Sequence, residues 1–436
     1  MGVGMKPQMN ADARGQSLVT GESSATGGFP AVGDWRTRKG HWSLVTDCSL
    51  VTEKVRILHV LGSMNRGGIE TWLMEILRHI DRDRYKMDFL VHTTQPAAYD
   101  EEIRGFGSRI LPCLYPSRPW SYALNFQRIM REFGPYDIVH SHVHHFSGYV
   151  LWLAKYAGVP IRIAHTHTDT VSSEQREGFY RRMYFHLMKS LINRFATVGL
   201  ASNYRALAAL FGSDCDYDLR WRVVNYGFDL TPFQERIDPN LVRAELGIPA
   251  DAFVIGHVGR FVEVKNHTFI LDIAAEVIQR EPKMYLLLVG DGLLRPDIEQ
   301  KAVQLGLSDR VIFTGVRSDI PRLMRGAMDV FLFPSLYEGL GNVRLEAQAA
   351  GLPSVISDVV PEQGDVIRPL VKRVSLSLPA CLWAETLLQH RDAASIISPS
   401  DAWVQMANSQ FNVETALKQM KNIYLSQFQK LNEVVI

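Results

Sequence analysis

Residues 253–292 read FVIGHVGRFVEVKNHTFILDIAAEVIQREPKMYLLLVGDG, and this stretch predicts two parallel strands joined by a helix. The strands are the apolar runs FVIGHVGR (253–260) and YLLLVGDG (285–292), whose glycine-containing ends are typical of buried parallel strands. Between them, HTFILDIAAEVIQR (267–280) has the apolar spacing of a helix. A strand, a helix and a parallel strand form the repeating unit of a doubly wound α/β sheet.

The same alternation extends to both sides of this unit. Three strands are predicted after it, at VIFTGV (311–316), VFLFPS (330–335) and PSVISD (353–358). Seven strands are predicted before it, with helices such as 69–80 and 147–158 between several of them, at residues 55–62, 86–94, 108–116, 137–143, 161–168, 196–202 and 221–228. We therefore expect an α/β protein with two Rossmann-like doubly wound domains facing a cleft, and ligands bound beyond the carboxyl ends of the strands.

The boundaries of the segments follow from the same pattern. Residues 1–52 are rich in Gly, Ser, Thr and Ala without sustained periodicity, which indicates a disordered tail or a misplaced start codon. The polar stretch TPFQERIDPN (231–240) separates one domain over residues 53–230 from a second over residues 231–410. The remaining residues, 411–436, contain an amphipathic helical pattern that is expected to pack back on the N-terminal domain.

The composition excludes several classes of protein. The 436 residues carry a net charge of +1 and contain no basic stripe with interleaved aromatics, so no nucleic-acid partner is expected. The four cysteines are scattered without metal-ligand spacing, as reduced thiols of a cytoplasmic protein would be. No apolar run approaches the roughly 18–20 residues that span a bilayer, and the first residues lack the apolar core of a secretory signal.

The segment FLFPSLYEGLGNVRLEAQAAGLP (331–353) places two glutamates around the start of a helix. A strand ends near Ser335, a loop carries Glu338, and a helix from about residue 342 to 350 carries Glu346. The free N–H groups and positive dipole end of this helix suit an anion such as diphosphate. Carboxylates at the two positions can accept hydrogen bonds from the hydroxyls of a sugar and of a ribose.

This segment resembles the Glu-x7-Glu motif of retaining glycosyltransferases of the GT-B fold, in the large family 4 group. Members of that family build exopolysaccharides, capsules and glycolipids. The resemblance implies that Glu338 faces the donor sugar, that Glu346 holds the donor ribose, and that the loop residues Gly339, Leu340 and Gly341 contact the donor. The pair Gly341-Asn342 departs from the family pattern, so the loop does not identify the sugar.

A second motif, GHVGRFVEVKNH (256–267), places Arg260 and Lys265 beyond a strand end and ahead of a helix. Two cations there can neutralise a diphosphate and stabilise it as a leaving group without a metal ion. Arginine offers a bidentate fork and lysine a point charge. The spacing also resembles the Gly-Arg…Lys-Asn-His segment of the family, whose two cations contact the donor phosphates. Two solvated surface cations are the alternative.

Weaker motifs agree with this assignment. Gly67 and Gly68 follow the first strand, where the family's first loop approaches the donor phosphate and the acceptor, although they do not form a dinucleotide fingerprint. A packing turn without ligand contact is the alternative there. Val316 and Arg317 fall where the family holds the nucleotide base through backbone contacts. Residues 223–233 resemble the hinge segment of the family.

Histidines are concentrated at the ends of two predicted strands, in HSHVHH (140–145) and AHTHTD (164–169). His140 and His142 could share a face of one strand, and so could His165 and His167. A metal site is not expected, because no cysteine or carboxylate completes a ligand set. By resemblance, His165 hydrogen-bonds the donor sugar or its phosphate, and His142 is a weaker acceptor-side candidate. A satisfied core residue is the alternative for each histidine.

The predicted function is transfer of a hexosyl group with retention of configuration, from a nucleotide-diphosphate sugar to a saccharide or lipid-linked acceptor. The resemblance implies a UDP-linked donor, a donor-binding second domain, an acceptor-binding first domain and no cofactor. The catalytic set is Glu338, His165, Arg260 and Lys265. A sugar-nucleotide epimerase on the same scaffold and a non-catalytic nucleotide-sugar-binding subunit are the alternatives.

Two further patterns concern metal and membrane. Two segments, Asp81–Asp83 and Asp214–Asp216, match the Asp-x-Asp sequence pattern of metal-dependent glycosyltransferases, but neither follows an apolar strand. The basic, aromatic-rich helical pattern at 176–194 is compatible with peripheral contact at the inner face of the cell membrane. An ordinary domain helix with a charged face is the alternative.

Overall fold

The computed structural model describes residues 54–167, 178–212, 215–391 and 396–433. The tail predicted at residues 1–52 lies outside the described residues. The chain forms two parallel sheets, one before and one after the polar stretch at 231–240. This confirms the prediction of two doubly wound α/β domains.

The first sheet has the strand order β3-β2-β1-β4-β5-β6-β7, and all of its pairings are parallel. Its topological switch point lies between β1 and β4, because the strands that follow β1 and the strands that follow β4 are added at opposite edges of the sheet. At such a point a cleft opens at the carboxyl ends of the strands. The strands are β1 (Val55–Leu61), β2 (Tyr85–Val91), β3 (Ile110–Pro112), β4 (Ile138–Ser141), β5 (Ile161–Thr166), β6 (Val198–Ala201) and β7 (Trp221–Val223). The helices are α1 (Gly68–His79), α2 (Asp100–Gly105), α3 (Pro119–Phe133), α4 (Ser147–Tyr156), α5 (Phe179–Phe195) and α6 (Tyr204–Phe211).

The second sheet has the order β10-β9-β8-β11-β12-β13, with its switch point between β8 and β11. Its strands are β8 (Phe253–Val258), β9 (Met284–Val289), β10 (Val311–Gly315), β11 (Val330–Phe333), β12 (Ser354–Ser357) and β13 (Val371–Val374). Its helices are α7 (Pro239–Glu245), α8 (His267–Ile278), α9 (Arg295–Gln304), α10 (Ile320–Gly326), α11 (Asn342–Ala349), α12 (Ala380–His390) and α13 (Pro399–Ala407). Strand β13 was not predicted, because this short edge strand reads VKRV and is only partly buried.

The last helix, α14 (Val413–Glu433), packs against α1 of the first domain. It begins beside the hinge, where Phe228 N–H donates to the Phe411 carbonyl at 3.0 Å and Val413 N–H donates to the Phe228 carbonyl at 3.1 Å. Gly227 is a glycine because a Cβ there would lie 2.6 Å from the Asn412 carbonyl oxygen. One apolar cluster includes residues of both domains, so the hinge region and the domains share a core.

Among the described residues, no helix has both the length and the apolar character that crossing a bilayer would require.

Candidate functional site

The donor-binding loop predicted at 338–341 lies between the end of β11 and the start of α11. Gly341 adopts φ 72°, which is left-handed backbone, and a Cβ at this position would lie 3.0 Å from the ring of Phe333. Both facts require glycine at the turn into the helix. The turn therefore directs the first N–H groups of α11 toward the carboxyl edge of the sheet.

Lys265 and Glu338 form an ion pair between the two predicted motifs. Lys265 Nζ lies 2.6 Å from Glu338 Oε1, and the two side chains are 17% and 13% exposed. The lysine ammonium also lies 4.7 Å from the centroid of the Phe333 ring. Asn266, in left-handed backbone at φ 57°, donates from its side chain to the Pro334 carbonyl at 3.1 Å. The loop after β8 and the loop after β11 are thus held together, and they present one cation and one carboxylate.

Arg260 is exposed at the same edge, directly after β8. Its positive charge acts on Glu70 in the first turn of α1. Burial raises the pKa of Glu70, whereas its own backbone N–H and Arg260 oppose that shift. The Glu70 carboxylate occupies the space beside Gly67, because a Cβ on Gly67 would lie 2.4 Å from Glu70 Oε2. Glu70 was not predicted as a site residue, since its partner belongs to the other domain.

Both predicted phosphate-side glycines lie at the start of α1, opposite the second domain. Gly68 is the first residue of the helix, and a Cβ there would lie 3.5 Å from Asn342 Nδ2. Arg66, one residue before Gly67, donates to the Arg317 carbonyl at 3.3 Å. The loop after β1 therefore meets both the donor loop and the segment after β10.

The donor loop is also bound to the first domain through Asn203. The Asn203 side chain donates to the Gly339 carbonyl from Nδ2 and accepts from Ala206 N–H at 2.8 Å, which caps α6. Gly339 lies against the His167 carbonyl, since a Cβ on Gly339 would be 2.2 Å from that oxygen. Leu340, next in the loop, is buried. Asn203 is a further site residue that local sequence pattern did not indicate.

Val316 and Arg317 lie directly after β10. Val316 is exposed, whereas the Arg317 guanidinium is held by Asp319 at 2.7 Å and by Glu245 at 3.1 Å. The hydrogen bond that Arg317 donates to the Asp319 carboxylate is the main cause that raises the pKa of Arg317. With its side chain engaged, Arg317 presents its backbone to the cleft, where its carbonyl already accepts from Arg66.

Glu346 is partly buried on α11, and burial raises its pKa to about 7. The negative charge of Glu75, on α1 of the first domain, raises that pKa further. Glu75 is itself buried, its pKa is raised by burial, and its Oε1 lies 2.6 Å from Arg78 Nη1. The site thus contains carboxylates of both domains whose charges act on one another.

His165 lies deeper than the sequence analysis expected. The residue is completely buried, its Nδ1 lies 3.1 Å from His140 Nε2, and its ring packs at 5.3 Å against Trp72. A side chain that hydrogen-bonds a ligand in an open cleft must present some surface to it, and His165 presents none. The prediction that His165 contacts the donor sugar is therefore not supported by its position. His142, the weaker candidate, is also buried, and its two ring nitrogens face His59 and His167.

Three sequence patterns remain, namely the two Asp-x-Asp segments and the basic, aromatic-rich segment at 176–194. Asp81 and Asp83 lie in the exposed connection between α1 and β2, where the Asp81 carboxylate accepts from Asp83 N–H at 3.0 Å. Asp214 lies outside the described residues. The pattern at 176–194 forms α5 from residue 179, and its first turns expose Phe179, Tyr180, Met183 and Tyr184.

Comparisons with known proteins agree with this fold. Residues 252–375 match the family described as Glycosyl transferases group 1, and residues 66–230 match Glycosyltransferase Family 4. The chain is 38% identical to EpsF of Bacillus subtilis (strain 168) over 378 residues, which are 85% of this chain and 96% of that protein. It is 25% identical to the capsular polysaccharide biosynthesis glycosyltransferase CapH of Staphylococcus aureus, over 85% of this chain and 99% of CapH.

Two further matches concern nucleotide sugars. A UDP-Gal:alpha-D-GlcNAc-diphosphoundecaprenol alpha-1,3-galactosyltransferase of Escherichia coli is 25% identical over 70% of this chain and 80% of that enzyme. The crystal structure of Anabaena Alr3699/HepE in complex with UDP-glucose superposes with a TM-score of 0.70, at 23% identity over 85% of this chain and 99% of that one. At this identity the structural match supports the fold alone.

Proposed function

Because this chain belongs to the family 4 glycosyltransferases and has their GT-B fold, we propose that it moves a hexosyl group from a UDP-sugar to a saccharide or lipid-linked acceptor. The product would be part of a polysaccharide or glycoconjugate. Two of the matched proteins are described as a capsular polysaccharide enzyme and a UDP-Gal transferase acting on a lipid diphosphate, and these descriptions support the proposal.

The observation that carries the proposal is the ion pair of Lys265 with Glu338. When a donor enters the cleft, Lys265 and Glu338 would separate, and each would contact the donor instead. The diphosphate takes Lys265 and Arg260 as counter-ions, and a sugar hydroxyl takes the Glu338 carboxylate as acceptor. The N–H groups at the start of α11 would meet the same diphosphate. The protein then neutralises the leaving group with its own cations, and no metal ion is required on the phosphates.

The proposed reaction proceeds on one face of the sugar. The bond between the anomeric carbon and the phosphate oxygen breaks, and its electron pair leaves with the diphosphate. The acceptor hydroxyl forms the new bond on the same face and passes its proton to the departing phosphate oxygen. Configuration is thereby retained. Arg260 and Lys265 stabilise charge as it develops on the leaving group, which is where fixed cations lower a barrier most.

Glu346 and the segment 316–317 would hold the nucleoside. A carboxylate on α11 can accept from the two ribose hydroxyls, and its raised pKa of about 7 makes this contact depend on pH near neutrality. The engaged side chain of Arg317 leaves backbone groups for the base. Glu338 and Glu346 would therefore bind opposite ends of one donor.

We also propose that α5 rests on an anionic membrane surface, which would bring the site to a lipid-linked acceptor. Phe179 and Tyr180 are 75% and 82% exposed, and Arg181 and Arg182 follow them directly. Aromatic rings with an interleaved pair of cations suit the headgroup region of anionic lipids. The opposite face of α5 buries Met188 and Ile192 in the domain, so the exposed rings are not needed for folding.

A panel of nucleotide sugars tested by thermal shift identifies the donor, because a ligand that binds the native state raises the melting temperature. We expect a UDP-hexose to give the largest shift. Incubating that donor without acceptor then separates the alternatives. An epimerase would convert the sugar of the donor by itself, and a non-catalytic subunit would bind the donor but release no UDP when an acceptor is added.

A further inference from the structure

Five histidines lie together on one face of the first sheet. His59 is in β1, His140 is in β4 and His142 follows it, and His165 and His167 are at the end of β5. The pairing of β1 with β4 and of β4 with β5 places these strands side by side. All five residues are at most 9% exposed, and the rings of His142, His165 and His167 lie 5.3–6.5 Å from the ring of Trp72 on α1.

The rings form two hydrogen-bonded chains. In the first, His59 Nδ1 lies 3.0 Å from His142 Nε2, His142 Nδ1 lies 3.0 Å from His167 Nε2, and His167 Nδ1 contacts the Tyr226 hydroxyl. In the second, the Tyr424 hydroxyl lies 3.2 Å from His140 Nδ1, and His140 Nε2 lies 3.1 Å from His165 Nδ1. Within the described residues, His165 Nε2 is buried and has no partner.

A set of three ligands emerges from these contacts. His142, His165 and His167 each offer one ring nitrogen within 4.8 Å of the others. The nitrogens that would face a metal ion are His142 Nδ1, His165 Nε2 and His167 Nε2. The second nitrogen of each ring then keeps its proton and already has an acceptor. Those acceptors are His59 Nδ1, His140 Nε2 and the Tyr226 hydroxyl. Metal-bound histidines have this arrangement, because the second nitrogen donates to a group that fixes the ring.

We propose that His142, His165 and His167 bind one divalent transition-metal ion, such as Zn²⁺, through three imidazole nitrogens. Imidazole suits zinc and its neighbours rather than Mg²⁺ or Ca²⁺, which prefer oxygen. Three protein ligands leave a coordination position for water or another group. The ion gives the otherwise unpartnered His165 Nε2 a bond.

The alternative trio of His59, His140 and His142 is less suitable. Its nitrogens also lie within 4.8 Å of one another, but His59 Nε2 has no acceptor among the described residues. Both nitrogens of His140 are engaged by groups outside that trio, Tyr424 and His165. His142 also has two contacts, but the contact of its Nδ1 is with His167, inside the favoured trio.

A metal was not expected from the sequence, because neither histidine pair has a cysteine or carboxylate that completes a ligand set. The third ligand is instead a histidine of the neighbouring strand. The ion would cross-link the ends of β4 and β5 directly beneath the donor loop, since the His167 carbonyl lies against Gly339. The role of the ion would be to position this edge of the first sheet, and the ion would not contact the diphosphate. The inference does not rest on the proposed function.

The test uses the full chain, stripped with a chelator and then titrated with Zn²⁺ or Co²⁺. Elemental analysis is expected to give one equivalent of zinc per chain, and Co²⁺ is expected to produce a visible d–d absorption band that Zn²⁺ abolishes. Tyr226→Phe removes the acceptor of His167 Nδ1 while keeping the ring, and it should weaken Co²⁺ binding by about 10–100-fold.

His165→Phe keeps a ring but removes both nitrogens, and this variant should lose the band. His257→Phe is the matched control, because His257 is a completely buried strand histidine of the second domain whose Nε2 also has no partner in the part of the chain that the structure describes. It should bind Co²⁺ as the wild type does. A wild-type chain that binds neither ion stoichiometrically, or a His165→Phe chain that binds both normally, would overturn the proposal. The wild-type titration decides the question even if a variant fails to fold.

Discussion

Lys265 Nζ lies 2.6 Å from Glu338 Oε1, although the two residues are 73 positions apart in the chain. The pair joins the loop after β8 to the loop after β11, and both side chains are largely buried. Each charge neutralises the other in this arrangement. A nucleotide sugar can replace both partners at once, because its diphosphate is an anion and its hydroxyls are donors.

Removing either partner should therefore reduce catalysis. We expect Lys265→Ala to lower kcat by about 10²–10³-fold, as loss of a preorganised charge at a leaving group does. Glu338→Gln should lower it as well, because the amide lacks the charge that accepts strongly from a sugar hydroxyl. Steady-state kinetics of UDP release measure both effects. Lys301→Ala, which breaks the 2.6 Å ion pair with Asp272 on the surface, is the control and should retain wild-type kcat.

Donor binding should depend on the protonation of Glu346. Its pKa of about 7 means that the carboxylate forms only as the pH rises through neutrality. Affinity for a UDP-hexose, whose diphosphate does not ionise in this range, is expected to increase from pH 6 to pH 8 in the wild type and to stay flat in Glu346→Gln. Isothermal titration at several pH values measures this. Equal pH dependence in both proteins would contradict the assignment of Glu346 to the ribose.

The same raised pKa predicts an effect on stability. A carboxyl group whose pKa rises on folding stabilises the native state below its unfolded pKa, and this contribution is lost as the pH rises through about 7. Glu346→Gln should therefore raise the free energy of unfolding at pH 8 by roughly 1–3 kcal/mol and change it little at pH 4. Urea unfolding at the two pH values measures the difference. Glu299→Gln, on exposed α9, is the control and should show no such gain.

Two substitutions of Asn203 distinguish its role as the cap of α6 from its role in placing the donor loop. Asn203→Asp keeps the oxygen that accepts from Ala206 N–H but loses the amide that donates to the Gly339 carbonyl. We expect this variant to lower donor affinity while the melting temperature stays near wild type. Asn203→Ala should lose donor affinity and also about 1 kcal/mol of stability, because the cap is gone. Unchanged donor affinity in both variants would contradict a role of Asn203 in the loop.

Membrane contact through α5 is tested with vesicles. The double variant Phe179→Ser, Tyr180→Ser removes two exposed rings and should reduce cosedimentation with vesicles that contain anionic lipid. Binding of the wild type should weaken as salt increases, since the adjacent arginines act through charge. Leu293→Ser is the control, because Leu293 is 92% exposed in the second domain. If the double variant and the wild type cosediment equally, α5 is an ordinary domain helix.

Much of the fold was predictable from local pattern. Apolar runs ending near glycine marked the strands, and the predicted strand ends marked the two loops that carry Lys265 and Glu338. Glu70, Glu75 and Asn203 were not predictable, because each is significant only through a partner in the other domain. The buried position of His165 depends on Trp72 and His140, which come from other elements. Periodicity within one strand cannot reveal such contacts between strands and helices.

The central claim, acceptor-dependent hexosyl transfer at the Lys265–Glu338 site, is tested most directly by one assay. The purified chain is incubated with the UDP-hexose that it binds best, with and without a mixture of lipid-linked saccharides, and UDP and sugar products are quantified. We predict UDP release and a glycosylated product only when the acceptors are present, and neither with Lys265→Ala or Glu338→Gln. Conversion of the donor to an isomeric UDP-sugar without acceptor, or undiminished transfer by both variants, would contradict the claim.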